Sequence, residues 1–211
     1  MYSDNIENRS LQKHEMFPEQ DRASSEQDNF KNYSDQQLWS EFSKGSEAAF
    51  AHIYSRFFSL LFNYGIKIAP NHQLINDCIQ ELFIDIWSSR LRLKEVEWLK
   101  TYLIKSVRRR IIKELKRENN ASTNSIDEDY NFRIQLSHDV QLINQEDKSA
   151  RIERLNLAME YLTDRQREAV FLKFYERLSY EQLAGVMGIS TKAVYKIMAR
   201  AVVVLRKAYK G

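Results

Sequence analysis

From Ser34 onward the chain alternates apolar and polar positions with the spacing of helices. Ser34-Asp35-Gln36-Gln37 sets a hydroxyl N-cap three residues before a glutamine, a pattern that satisfies two orphan N–H groups at a helix start. Leu38, Trp39 and Phe42 follow on one face, and Gly45 and Ser46 end the segment. From Glu47 to about Ala69, Phe50, Tyr54, Phe57, Phe58, Phe62 and Tyr64 recur at steps of three and four, which reads as helix core rather than a cofactor box. Pro70 and Asn71 punctuate. Leu74, Ile75, Cys78, Ile79, Leu82, Phe83, Ile86 and Trp87 then form paired apolar positions, and the opposite face, with Asn76, Asp77, Gln80, Glu81 and Asp85, is acidic. After a connection from Ser88 to Glu97, the pattern predicts a helix from about Trp98 to Lys116. Its buried stripe is Leu99, Leu103, Val107, Ile111 and Leu115; Lys105, Arg108, Arg109, Lys113, Lys116 and Arg117 fall off that stripe.

Residues 118–150 turn polar and acidic, and residues 1–33 are polar, acidic and poorly periodic. The first stretch reads as a flexible linker between domains and the second as a flexible tail. The last sixty residues are helical again. Ile152, Leu155, Met159 and Leu162 mark one helix. Thr163-Asp164-Arg165-Gln166 opens another with Val170, Phe171 and Phe174, and Ser179-Tyr180-Glu181-Gln182 opens a third that runs through Met187. Gly188 suits a left-handed helix end, Ile189 is expected to dip into the core, and Ser190 caps a helix from Thr191 to about Lys207. Ala184, Gly188, Val194 and Ile197 fall at helix-turn-helix spacing: a small residue for close approach, a turn, and two anchors. Thr191, Lys192, Tyr195, Lys196 and Arg200 are then offered outward on a helix that fits a major groove. The full spacing favours DNA binding over an ordinary helical hairpin with a solvated basic face.

Composition agrees with an all-α protein, because five Gly and two Pro in 211 residues cannot supply the turns of a sandwich or barrel. The net charge of +3 conceals a pattern. Residues 1–33 carry 4 basic and 7 acidic side chains, 34–117 carry 14 and 9, 118–150 carry 2 and 7, and 151–211 carry 12 and 6. Two positive blocks flank an acidic one, which suits a polyanion touched in two places. The single cysteine, Cys78, excludes an intramolecular disulfide and reads as a buried thiol. His14, His52, His72 and His138 are scattered, and no nucleotide loop or carboxylate cluster assembles. No catalytic residue, metal, cofactor or small-molecule substrate is therefore expected. No apolar run approaches a membrane span and the polar start lacks a secretory apolar region, so a soluble cytoplasmic protein is expected.

The run Tyr161-Leu162-Thr163-Asp164-Arg165-Gln166-Arg167-Glu168-Ala169-Val170-Phe171, with Leu178-Ser179-Tyr180-Glu181-Gln182-Leu183-Ala184 and Gly188-Ile189-Ser190, resembles region 4 of extracytoplasmic-function sigma factors. Asp77-Cys78-Ile79-Gln80-Glu81-Leu82-Phe83-Ile84-Asp85-Ile86-Trp87 resembles their region 2 core-binding helix. Trp98-Leu99-Lys100-Thr101-Tyr102-Leu103 through Val107-Arg108-Arg109-Arg110 resembles the helix facing the −10 element. The resemblance implies a region 2 bundle over 34–117 and a helix-turn-helix region 4 over 151–211, joined by the linker. It further implies that core RNA polymerase is bound through Asp77, Gln80 and Glu81. The opened −10 strand would be held by Lys105, Arg108, Arg109, Lys113 and Tyr102; Trp98 is a second candidate for stacking, for which a place in the core is the preferred reading. Double-stranded −35 promoter DNA would be read by Thr191, Lys192, Tyr195, Lys196 and Arg200. An anti-sigma factor is an implied partner. The acidic linker reads equally as a nucleic-acid mimic in a basic channel or as a solvated spacer. Two departures are Tyr195, where the family often has a basic residue, and the apolar run Ala201-Val202-Val203-Val204 in the last helix. The competing readings are a helix-turn-helix regulator that does not bind core polymerase, which would leave 74–116 unexplained, and a helical interaction protein with no DNA role.

Overall fold

The computed structural model describes residues 30–118, 130–134 and 145–210, with the side chains of 145–152 and of 209–210 left aside. Among the described residues there are eight α-helices and no strand, so the all-α expectation holds. No helix among them is long and apolar enough to cross a membrane. The chain divides into two units, Met1–Ile66 with Asn71–Ile111, and Lys67–Pro70 with Ile112–Gly211.

The first unit is built on α1 (Asp35–Ser43), α2 (Glu47–Ile68), α3 (His72–Ser89) and the larger part of α4 (Leu99–Glu118). The Ser34 hydroxyl accepts from the Gln37 N–H while the Gln37 side chain accepts from the Ser34 N–H, as the local pattern predicts. The helix expected from Leu74 begins earlier, because the Asn71 side chain caps it by accepting the Leu74 N–H at 3.1 Å. Leu38, Phe42, Leu61, Tyr64, Ile75, Ile79, Phe83, Leu99, Leu103 and Ile111 are wholly buried. Phe50 binds the layers, with its ring 5.9 Å from that of Phe83 and 4.9 Å from that of Trp87. Gly65 marks the tightest approach: a Cβ there would stand 2.8 Å from Cγ2 of Ile75 and 3.1 Å from Cδ1 of Ile111. A 3-10 turn, Arg90–Arg92, follows α3 and packs against α1 and α3. Cys78 is buried, as expected.

The expected tail lies mostly outside the described residues, but Phe30–Tyr33 is within them and is not isolated. The Phe30 ring lies 5.0 Å from that of Tyr33 and 5.9 Å from that of His52 on α2.

The second unit holds α5 (Gln145–Glu160), α6 (Asp164–Phe174), α7 (Tyr180–Met187) and α8 (Thr191–Lys210). Reciprocal capping boxes at Thr163–Gln166 and Ser179–Gln182 open α6 and α7. Gly188 is left-handed, with φ +69°, and its N–H donates to the Ala184 carbonyl, which is the low-cost helix end a Cβ-free residue provides. The Ser190 hydroxyl accepts the Ala193 N–H at 3.2 Å and starts α8. The last helix packs against α5, α6 and α7 through Val194, Met198 and Ala201, all buried. Val194 is thus an anchor as expected, whereas Ile197 is only half-buried and Met198 takes its place. Of the three apolar residues that mark α6 in the sequence, Val170 and Phe171 are buried and Phe174 is exposed.

Much of the linker lies outside the described residues, at 119–129 and 135–144. Two parts of it differ from the expectation. The helix α5 starts at Gln145, inside the stretch assigned to the linker. Tyr130 and Phe132 are buried against α6: the Phe132 N–H donates to Asp164 at 2.8 Å, the Tyr130 hydroxyl donates to Glu168, and the Phe132 ring lies 5.7 Å from that of Phe171.

Candidate nucleic-acid and polymerase interface

Three helix faces carry the residues assigned from the sequence. On α3, the apolar stripe turns inward and leaves Asp77, Gln80 and Glu81 partly exposed together on the other side, with Asp85 beside them. Their charge is not wholly free. Gln73 Nε2 donates to both Asp77 carboxylate oxygens at 3.1 Å. Arg110 of α4 reaches across, with Nη1 2.8 Å from Glu81 Oε2 and Nη2 on Asp85. Sequence periodicity did not single out Arg110; only the packing of α4 on α3 brings it to the acidic face.

On α4, Arg109 and Lys113 are exposed and Lys105 is half-buried, so these three form one row at steps of four. Arg108, expected to contact phosphate, is instead 3 % exposed and belongs to the buried side. Trp98, expected in the core, is 42 % exposed. It precedes Tyr102 by four residues, and its carbonyl accepts the Tyr102 N–H at 3.0 Å. The Tyr102 ring packs edge-on at 5.5 Å to that of Trp39, and burial pushes its hydroxyl pKa up. Trp98, Tyr102, Lys105 and Arg109 therefore combine aromatic surface with positive charge along one side of α4, the composition of a single-strand binding platform.

On α8, Lys192, Tyr195, Lys196 and Arg200 are exposed and Thr191 is half-buried. Lys192, Lys196 and Arg200 repeat every four residues, so the positive groups form one edge of the helix. Further along, Ala201 is buried while Val202 and Val203 are exposed, so the apolar run only partly enters the core. A feature the sequence did not signal lies beside Tyr195. Its ring stacks on that of Tyr180, the first residue of α7, with centroids 4.2 Å apart and planes 25° apart. Lys173 Nζ sits 4.7 Å from the Tyr180 centroid.

A helix-turn-helix with an outward basic edge, preceded in the chain by a helix bundle with an acidic and a basic-aromatic face, defines a bipartite DNA-binding transcription protein. Residues 53–121 match the family model for sigma-70 region 2, and residues 152–205 match that for sigma-70 region 4. Together they cover more than half of the chain, which belongs to the sigma-70 family of promoter-recognition factors and is a sigma factor. That family is not an enzyme class. Among solved structures, the chain is similar to the sigma factor RpoE in complex with the anti-sigma factor NepR from Bartonella quintana, at 20 % identity over 74 % of this chain and 94 % of that one, TM-score 0.51. It is also similar to CnrH in complex with the cytosolic domain of CnrY, at 18 % identity over 82 % of this chain and 95 % of that one, TM-score 0.53. These likenesses establish the shared fold. No curated protein matches the chain.

Proposed function

We propose that this sigma factor binds core RNA polymerase through the acidic face of α3, holds the opened −10 strand on α4, and reads the −35 element with α8. The observation that carries the reading is the presence of regions 2 and 4 in one chain, in that order. A regulator that acts without core polymerase needs only the second of these.

In this reading Asp77, Gln80 and Glu81 meet a basic surface of the polymerase, and Arg110 sets how much of that negative charge is available. On α4, Lys105, Arg109 and Lys113 contact phosphates of the opened strand, and Trp98 and Tyr102 offer ring surface to unpaired bases. Stacking of this kind contributes about 1–3 kcal/mol per base. Arg108, being buried, supports the helix from within. On α8, Thr191 and Lys192 stand at the positive end of the helix dipole, where a phosphate is favoured. Lys196 and Arg200 continue along the groove wall, and Tyr195 faces base edges. The functional limits are residues 34–117 for the polymerase and −10 module, 118–144 for the connection and, beginning with α5, 145–211 for the −35 module. Such a protein works in the cytoplasm, and the complexes of RpoE with NepR and of CnrH with CnrY support an anti-sigma factor as its regulator.

The test is promoter-dependent transcription by purified core polymerase with and without the chain. Specific initiation only when it is present is the expected result. Charge reversal at Asp77 and Glu81 should then abolish co-purification with core while far-UV circular dichroism stays unchanged. DNA binding with no effect on initiation would return the protein to the class of ordinary helix-turn-helix regulators.

A further inference from the structure

We infer that Tyr180 is a positioning residue for −35 specificity, holding Tyr195 as a preorganised base-contacting group; the inference rests on the assignment of α8 as the −35 reader. A tyrosine on an exposed helix face ordinarily samples more than one staggered χ1 well. Tyr195 does not stand alone. Its ring stacks on that of Tyr180, with centroids 4.2 Å apart and planes 25° apart, so the two rings cover one face of each other. Tyr180 is in turn fixed twice. It is the first residue of α7, directly after the N-cap Ser179 and inside the Ser179–Gln182 capping box. Lys173 Nζ lies 4.7 Å from its ring centroid, and the same ammonium donates to the Leu178 carbonyl at 3.0 Å, tying α6 to the turn before α7. The series Lys173, Tyr180, Tyr195 thus runs from the supporting helix through the first helix of the motif to the recognition helix.

The stack leaves Tyr195 53 % exposed. It lies three residues after Lys192 and one before Lys196, between the groups that meet phosphates. Its remaining ring edge and hydroxyl fit what a major groove displays: a thymine methyl for the ring, and purine N7 or a base carbonyl for the hydroxyl. Ordering the side chain before binding removes an entropy cost that an unstacked tyrosine would meet on the DNA. Tyr180 therefore acts on sequence preference without touching a base.

The experiment uses the full chain assembled with core polymerase and a promoter library randomised at the −35 element. Tyr180→Phe keeps the stacking face and should keep the wild-type preference. Tyr180→Ala and Tyr180→Leu remove it and should lose discrimination by about five- to tenfold at the base position that Tyr195→Ala also relaxes, the lower end of one lost base contact. The Tyr180→Ala/Tyr195→Ala double variant should lose nothing more at that position. Preference at the −10 element should stay unchanged throughout, and the far-UV circular dichroism of each variant should match the wild type, which a variant misfolded in the second unit would not allow. The inference is overturned if Tyr180→Leu keeps the wild-type preference, or if Tyr180→Phe loses it as fully as Tyr180→Ala. It is also overturned if Tyr195→Ala has no effect while Lys192→Ala and Lys196→Ala shift −35 use, in which case α8 remains the reader. If none of these variants shifts −35 use, the assignment of α8 itself fails.

Discussion

Gly65→Ala sets two effects of similar size against each other, and the structure decides the sign. Gly65 is buried within α2, and its backbone lies outside the left-handed region. On helix propensity alone, alanine would stabilise by about 1 kcal/mol. The added Cβ, however, would lie 2.8 Å from Ile75 Cγ2, 3.1 Å from Ile75 Cδ1 and 3.1 Å from Ile111 Cδ1. Cγ2 is bonded directly to Cβ of a β-branched residue whose χ1 is nearly fixed in a helix, so it cannot swing aside. Ile75 and Ile111 are both wholly buried, so α3 or α4 must move or strain. Overpacking of this kind costs about 1–3 kcal/mol. The steric cost exceeds the propensity gain, and the net loss should be about 1 kcal/mol. All three tryptophans, Trp39, Trp87 and Trp98, lie in the first unit, so their fluorescence reports its unfolding alone. The urea midpoint should fall by about 0.3–1 M. Ile75→Leu removes Cγ2 and should rescue part of the loss, giving a positive coupling in the double-variant cycle. A Gly65→Ala protein as stable as the wild type, or more so, would refute the close approach as the reason for glycine here.

Three further outcomes follow from the same geometry. Phe132→Ala removes the buried anchor that holds its segment on α6; a loss of about 2 kcal/mol raises the undocked population roughly thirtyfold, read as faster chymotryptic cleavage after Tyr130, and an unchanged rate would show that the contact does not hold. Ser179→Ala removes the N-cap of α7 and should cost about 1 kcal/mol, seen in thermal unfolding followed by far-UV circular dichroism. Burial, with Arg56 nearby, lowers the His52 pKa below its ordinary value. The unfolded chain then takes up the proton more readily, so the associated stability is present above the unfolded pKa of about 6.5 and lost as pH falls through the folded value; His52→Gln should flatten the stability–pH curve below about pH 6.5.

The helices and their starts were legible because their signals are local. A capping box is satisfied by groups three residues apart, and Gly188 ends α7 through its own φ. The four-residue apolar steps of α3 and α4 needed no knowledge of what they pack against, and the basic edge of α8 follows from one helix's own spacing. Burial at the margins of those stripes was another matter. Arg108 and Arg110 differ by two positions in one basic run, yet the first is buried and the second reaches Glu81 and Asp85 on α3, a difference that depends on what packs around α4 and not on its own spacing. Trp98 and Phe174 stand at helix ends, where the periodic pattern stops specifying a side, and both turn outward. Tyr130 and Phe132 sit in a polar, acidic stretch with no periodicity; their partners Asp164, Glu168 and Phe171 lie more than thirty residues on, so only the tertiary fold brings them together. The same holds for Tyr180 and Tyr195, fifteen positions apart on two helices, whose stacking depends on the angle at which the turn at Gly188 sets α8 against α7. The sequence determined the elements and their chemistry by local backbone and spacing rules, and contacts between distant segments decided which charged and aromatic groups face outward to act.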